Sequence, residues 1–147
     1  MKLIIACDPK GGIGYQNKLP WDKLQGDLPR FKELTTGKIV LMGRNTYESL
    51  PKKTLPNRTV WVKTTRPIGD VVNPSDDVIV KEREIWLIGG AKMINSYWQY
   101  IDEIHLSRTF TEYTCDTFID VVKLQDEFVC WFKEDLTDHS YEIWKRK

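Results

Sequence analysis

Lys38-Ile39-Val40-Leu41-Met42-Gly43-Arg44-Asn45-Thr46-Tyr47-Glu48-Ser49-Leu50-Pro51 decides the fold class. The apolar run after Lys38 is a buried strand, Gly43 passes it directly into a short helix, and Pro51 stops that helix. A buried strand feeding straight into a helix is half of a βα unit, and such units build parallel sheets. Downstream the pattern repeats. Ile85-Trp86-Leu87-Ile88 leads through Gly89-Gly90 into a helix whose apolar face is Met93, Ile94, Tyr97, Trp98 and Ile101.

Upstream, Leu3-Ile4-Ile5-Ala6-Cys7 is a continuous apolar run closed by Asp8-Pro9-Lys10-Gly11-Gly12, as in a central strand buried on both faces. Thr59-Val60-Trp61-Val62 and Val78-Ile79-Val80 are further strand-like runs, and residues 103–109 form another. Residues 127–133 and 140–145 alternate in polarity around a polar turn, as in an antiparallel hairpin. These elements predict one α/β domain over 1–147: a predominantly parallel central sheet flanked by short helices, with a C-terminal antiparallel hairpin on its edge.

A chain of 147 residues can bury roughly two thirds of its unfolded surface around one core. With 41% hydrophobic residues, 29% charged residues and a net charge of +1, nothing demands nucleic acid or a membrane as partner, and any bound anion must be met locally. Cys7, Cys115 and Cys130 lack the spacing of a zinc site or a disulfide framework, which predicts reduced thiols, a cytoplasmic protein and no metal. The opening apolar run is too short for a signal peptide or a membrane span.

Between the first strand and the second lie the two least regular features. Residues 8–23 show neither helical nor alternating period, as expected of a lid or binding loop. In Leu24-Gln25-Gly26-Asp27-Leu28-Pro29-Arg30-Phe31-Lys32-Glu33-Leu34, helical spacing puts Leu24, Leu28, Phe31 and Leu34 on one stripe and Pro29, Arg30, Lys32 and Glu33 opposite. Asp27 falls inside the apolar stripe. A carboxylate aimed at a core needs a partner, which marks it as a functional candidate. The structural alternative is a first-turn acid that complements the helix dipole.

The Gly43-Arg44 and Gly89-Gly90-Ala91-Lys92 junctions share one arrangement: glycine, a helix start and a cation at the carboxyl end of a strand. Together they suit a pyrophosphate held from two sides. Neither GxGxxG nor GxxxxGK[ST] is present.

Six separated motifs, in order, resemble the dihydrofolate reductase family over nearly the whole chain. They are Gly12-Ile13-Gly14 with Asn17-Lys18-Leu19-Pro20-Trp21, Asp27-Leu28 with Phe31-Lys32, and Met42-Gly43-Arg44-Asn45-Thr46 with Glu48-Ser49-Leu50. Leu55-Pro56-Asn57-Arg58, Ile88-Gly89-Gly90 and Asp116-Thr117-Phe118 follow.

The resemblance implies NADPH-dependent reduction of dihydrofolate to tetrahydrofolate, supporting one-carbon and thymidylate metabolism, by a monomer. It makes Asp27 the acid that anchors the pterin, with Ser107 supporting it and Trp21 reaching the pocket through water. Ile4, Ala6, Leu28, Phe31, Lys32, Leu50, Leu55 and Ile88 line the substrate site, and Arg58 clamps the substrate's carboxylate. The cofactor residues it implies are Ala6, Ile13, Gly14, Leu19, Gly43, Arg44, Asn45, Thr46, Thr64, Thr65, Arg66, Gly89, Gly90, Ala91, Lys92 and Met93, with a cis peptide between Gly89 and Gly90.

Chemistry agrees: hydride transfer belongs to the cofactor, so the protein must align two flat rings, exclude water and manage one proton. Two other readings are a related-fold pterin or flavin reductase, and a non-catalytic module that stacks nucleotides on some of its six tryptophans. Most of those tryptophans fall on strands or an apolar helix face, which favours core packing.

Two departures from the family pattern stand out. Ile94 occupies a position that usually holds an aromatic residue beside the nicotinamide. Only residues 81–84 separate Val80 from Ile85, where the family usually has a crossover helix. Four residues reach at most about 18 Å, less than the roughly 14 Å sideways and 10 Å back that such a crossing needs. The edge strand should therefore retreat to about Val71-Val72, leaving 73–84 as an extended, helix-free crossover.

Overall fold

The computed structural model describes residues 1–51 and 55–147. The chain runs through β1 (Lys2–Cys7), β2 (Gly12–Gly14), α1 (Asp27–Thr35), β3 (Ile39–Gly43), α2 (Arg44–Ser49), β4 (Thr59–Lys63) and α3 (Asp76–Lys81). It continues through β5 (Ile85–Leu87), α4 (Ala91–Tyr97), β6 (Glu103–Thr109), β7 (Thr117–Phe118), α5 (Val121–Glu127), β8 (Phe128–Asp135) and β9 (His139–Arg146). The main sheet has seven strands in the order β4-β3-β5-β1-β6-β9-β8. All pairs from β4 to β6 are parallel, while β9 and β8 join antiparallel at the edge, as the apolar runs and the alternating hairpin predict.

Side chains alternate across the sheet and divide it into two faces. On one, Leu3, Leu41, Leu87, Ile104 and Leu106 pack with Ile79 of α3, Ile94 and Tyr97 of α4, and Leu124 of α5. Each such fully buried aliphatic contributes about 1.5–3 kcal/mol. On the other, Val40, Met42 and Val62 pack with Phe31 of α1 and with Leu50, Leu55 and Ile88. Register sets Ala6 beside Ser107 and Ile4 beside His105, so the β1 and β6 residues implied for the site lie on one surface.

The crossover is part as expected and part corrected. Val72 pairs with Trp61 at the edge, and its carbonyl accepts from Val62 N at 2.9 Å, so the edge strand has retreated to that position. Residues 73–84 are not helix-free, however: Val78, Ile79 and Val80 lie in α3, a six-residue helix of less than two turns. Acidic Asp76 and Asp77 in its first turn and Lys81 in its last favour the helix dipole, and Ile79 seats in the core. Tyr97 Oη donates to Asp76 Oδ1 at 2.5 Å and Lys63 Nζ lies 3.3 Å from the same oxygen, pinning the start of α3 to α4 and β4.

Other expectations shift too. Loop 8–23 has structure of its own, because β2 pairs with β7. Asp8 fastens its base, accepting from the backbone N–H groups of Lys10, Gly12 and Tyr113. At Gly12 a Cβ would stand 2.3 Å from Cys115 Sγ, so only glycine fits there. The stretch before residue 128 is helical as α5, capped by Asp120, which accepts from Lys123 N at 3.0 Å. Trp131 is not a core residue: it is 65% exposed on β8, with Lys145 Nζ 3.8 Å above its ring.

Candidate active site

Gly26 precedes α1 at φ 84°, in the left-handed region, and turns the chain so that Asp27 is the first helical residue. Gly26 supplies no side-chain cap, and the Asp27 carboxylate does not serve as one. It points at the sheet, where Ser107 Oγ donates to Oδ1 at 2.7 Å. Asp27 is held by a residue of the central sheet and remains 32% exposed at the side chain, so the acid has both a partner and access.

The stripe predicted for α1 is rotated. Leu24 lies outside the helix and is buried, whereas Leu28 is 61% exposed on α1. The inward face is Asp27, Phe31, Leu34 and Thr35, with Arg30 at its margin. Arg30, expected on the solvent side, has a side chain only 18% exposed, because its planar cation finds an aromatic and polar bed on β6 and β9. Its Cζ sits 4.0 Å above the Tyr141 ring, and Nη1 donates to Ser107 Oγ at 3.4 Å and His139 Nε2 at 3.4 Å. Asp27 Oδ1 lies 3.8 Å from the same Nη1.

Behind Tyr141 the polar surface continues. Its hydroxyl meets His105 Nδ1 at 2.5 Å, and His105 Nε2 meets Glu103 Oε2 at 2.7 Å. Burial holds the imidazole of His105 below its ordinary value, although Glu103 pulls the other way. Burial likewise pushes the Tyr141 hydroxyl up. The hydroxyl therefore donates to Nδ1, while Nε2–H donates to the carboxylate.

From Asp27 the helix carries Phe31 and Thr35 at successive turns on the same side, about 12 Å from first to last. At the far end Arg58 Nη1 donates to Thr35 Oγ1 at 3.3 Å, with the guanidinium 5.7 Å from the Phe31 ring centre. Leu50, Leu55 and Ile88 pack in the same cluster as Phe31, while Lys32 is exposed beyond it. The groove thus has an acid at one end, an aromatic and aliphatic middle, and a guanidinium at the other.

The strand-to-helix junctions meet at the carboxyl end of the parallel strands. Gly43 N donates to Gly89 O at 2.9 Å, and the Gly89–Gly90 peptide is cis, as the resemblance implies. A Cβ at Gly89 or Gly90 would lie 3.5 or 3.7 Å from Thr46 Oγ1, so two bare glycines keep the space before that hydroxyl open. Met93 packs against Gly43. Arg44 Nη1 donates to Thr64 Oγ1 at 3.3 Å and to the Arg66 carbonyl at 3.1 Å. Its Nε pairs with Glu48 at 2.9 Å.

Asn45, Thr65, Arg66 and Lys92 stand exposed around this end, with Ala91 half-buried. This donor set, a fixed guanidinium with hydroxyls and backbone amides beside open glycines, fits a phosphorylated dinucleotide. Of the loop residues, Ile13 and Trp21 are buried, Gly14 pairs with Thr117, and Leu19 is exposed at 62%. Trp21 packs edge-on to Tyr113 at 5.6 Å. Ile94 turns into the core on the opposite face.

Sequence reasoning missed Arg30, His139 and Tyr141. The signals were local: Arg30 follows Asp27 by one helical turn, and His139 and Tyr141 alternate onto the Ser107 face of the hairpin.

A family model described as dihydrofolate reductase matches residues 1–143. Dihydrofolate reductase type 8 of Escherichia coli is 35% identical over 160 residues, covering 98% of this chain and 94% of that protein. The bifunctional dihydrofolate reductase-thymidylate synthase of Paramecium tetraurelia is 39% identical over 127 residues, which is 80% of this chain and 27% of that longer protein. Among solved structures, dihydrofolate reductase from Enterococcus faecalis, complexed with NADP(H) and RAB-propyl, superposes with a TM-score of 0.82 at 28% identity. That match covers 99% of this chain and 95% of the other.

Proposed function

The chain belongs to the dihydrofolate reductase family, and from that premise we propose that it reduces 7,8-dihydrofolate to 5,6,7,8-tetrahydrofolate with NADPH. The observation that carries the reading is the spacing of Asp27 and Arg58 along α1. An acid bonded to Ser107 faces one end of a Phe31-lined groove, and a guanidinium bonded to Thr35 faces the other, about 12 Å along the helix. Dihydrofolate has a flat pterin that donates hydrogen bonds at one end and a glutamate carboxylate at the other, which is the complementary arrangement.

In this reading Asp27 binds the amino edge of the pterin through its carboxylate. A fixed negative charge there raises the proton affinity of the ring and so favours protonation at N5 before hydride arrives. Ser107 holds the acid's rotamer by donating to Oδ1. Arg58 takes the glutamate carboxylate, and Phe31, Leu50, Leu55 and Ile88 exclude water along the groove. Trp21, buried near the end of the loop, closes the pterin end.

When bound, NADPH supplies the hydride. Arg44 and Thr64, with Thr65, Arg66 and Lys92 nearby, would hold its ribose phosphate, and Thr46 with Gly89, Gly90 and Ala91 its pyrophosphate. Oxidation of NADPH, followed spectrophotometrically with and without dihydrofolate, tests the proposal. It requires oxidation that depends on dihydrofolate and yields tetrahydrofolate one for one; its absence from folded protein overturns the proposal.

A further inference from the structure

The acid of this site has a permanent cation beside it, on its own helix. Arg30 Nη1 stands 3.8 Å from Asp27 Oδ1, with side chains 18% and 32% exposed, so solvent screens the pair only in part. Its hydrogen bonds run in one direction. Arg30 donates to Ser107 Oγ, and Ser107 in turn donates its own proton to Asp27 Oδ1. The guanidinium is held flat on Tyr141 and donates to His139 Nε2, which leaves the ring proton on Nδ1 to donate to Asp138 Oδ1 at 2.6 Å. Asp138 Oδ2 accepts from Gln25 N at 3.0 Å, tying this support to the turn that precedes α1.

We propose that Arg30 is a positioning residue for the acid: locked on Tyr141 and His139, it orients Asp27 through Ser107 and sets the pH range over which the site works. Arginine is suited to this because it stays charged at any working pH, stacks on an aromatic face and donates in a fixed plane. The titratable and charged groups facing the pair are His139, Tyr141 and Asp138 from β9 and the turn before it. Further back are His105 and Glu103 from β6, Glu33 from α1 and Lys2 from β1. None of the near ones is a second fixed cation, so Arg30 dominates the local positive charge.

A cation disfavours protonation of a substrate bound beside it, so its removal moves the working range to higher pH. The effect on turnover rests on the reading of Asp27 as the pterin anchor, whereas the effect on the orientation of Asp27 does not. The test therefore has two parts, each applied to wild type, Arg30→Met and Arg30→Lys. Crystal structures of the ligand-free proteins show whether Ser107 still holds Asp27 Oδ1. Stopped-flow hydride transfer against pH gives the working range.

Arg30→Met should release Asp27 from Ser107 in the ligand-free structure and move the pH profile of hydride transfer upward, so that transfer on the alkaline side of the profile is up to about tenfold faster relative to its plateau. Arg30→Lys, which keeps the charge, should stay much closer to the wild-type profile. An unchanged Asp27–Ser107 bond in folded Arg30→Met overturns the proposal. A lost bond in a protein whose wild type shows no dihydrofolate-dependent transfer supports positioning by Arg30 and overturns the folate reading instead. Should Arg30→Met not fold, Tyr141→Leu, which removes the platform and keeps the charge, should displace Asp27 from Ser107 in the same way; an unchanged bond overturns the proposal.

Discussion

Ser107 Oγ donates to Asp27 Oδ1 at 2.7 Å and so joins two residues 80 positions apart in sequence. The bond fixes a helix residue to the central sheet and determines which carboxylate edge faces the groove. A hydrogen bond to a charged group contributes about 1.5–3 kcal/mol, and water can replace part of it at a half-exposed site. Ser107→Ala should slow hydride transfer about 3- to 30-fold with a smaller change in stability. Equal rates in a stopped-flow comparison would mean that the hydroxyl does not position the acid.

In the proposed function Arg58 takes the substrate's carboxylate at the other end of the groove, away from the reacting atoms. Arg58→Leu should raise KM for dihydrofolate about 10- to 100-fold while kcat stays within about threefold, since the interaction is the same in ground and transition states. A drop in kcat with KM unchanged would remove Arg58 from the substrate's carboxylate.

In the proposed function cofactor choice depends on Arg44. It brings a guanidinium to the Thr64 hydroxyl at 3.3 Å, an arrangement suited to a phosphate on the ribose. NADPH should be preferred over NADH by at least about tenfold in kcat/KM, and Arg44→Leu should lose most of that preference by weakening NADPH alone. Equal efficiency with the two cofactors in the wild type would contradict the assignment.

Much of this was legible in the sequence because each strand of the parallel half is one uninterrupted apolar run. Ile39–Gly43 passing into Arg44–Ser49 reads correctly because glycine and proline punctuate it. What was not legible depended on tertiary packing. Val78-Ile79-Val80 has strand propensity but forms α3, because one buried Ile79 and the bonds of Asp76 to Tyr97 and Lys63 outweigh a weak local preference. By contrast, the helical spacing of Val121, Leu124 and Phe128 behind the Asp120 cap is a local signal for α5. An arginine on an amphipathic helix usually faces solvent, so the one-turn spacing of Arg30 from Asp27 and the alternation of Tyr141 on β9 are signals that gain meaning only once α1 is packed on the sheet.

The α3 correction has a direct consequence for stability. Ile79 is fully buried, so Ile79→Ala should cost about 2–4 kcal/mol, read as a shift in denaturant midpoint. Val78→Ala and Val80→Ala, at exposed positions, should each cost under about 1 kcal/mol. The reverse order would mean that residues 76–81 are an extended crossover after all.

Acid sensitivity should come in part from His105. Burial depresses its folded-state value below the ordinary 6.5, so through the interval beneath 6.5 the unfolded chain binds a proton that the folded chain refuses. Its contribution is fully present above that pH and is lost as pH falls toward the folded-state value. Melting temperature should decline on acidification from neutral pH, and His105→Gln should flatten the first part of that decline. Parallel curves for the two proteins would assign the decline to other groups.

The central claim is that the Asp27 carboxylate anchors the pterin and favours its protonation, and the pH dependence of hydride transfer in Asp27→Asn tests it most directly. The amide keeps the shape and loses the charge, so stopped-flow transfer should fall by about 100-fold or more at neutral pH and recover in part at low pH, where substrate arrives already protonated. Wild-type rates in folded Asp27→Asn, or an equal loss at every pH, would contradict it.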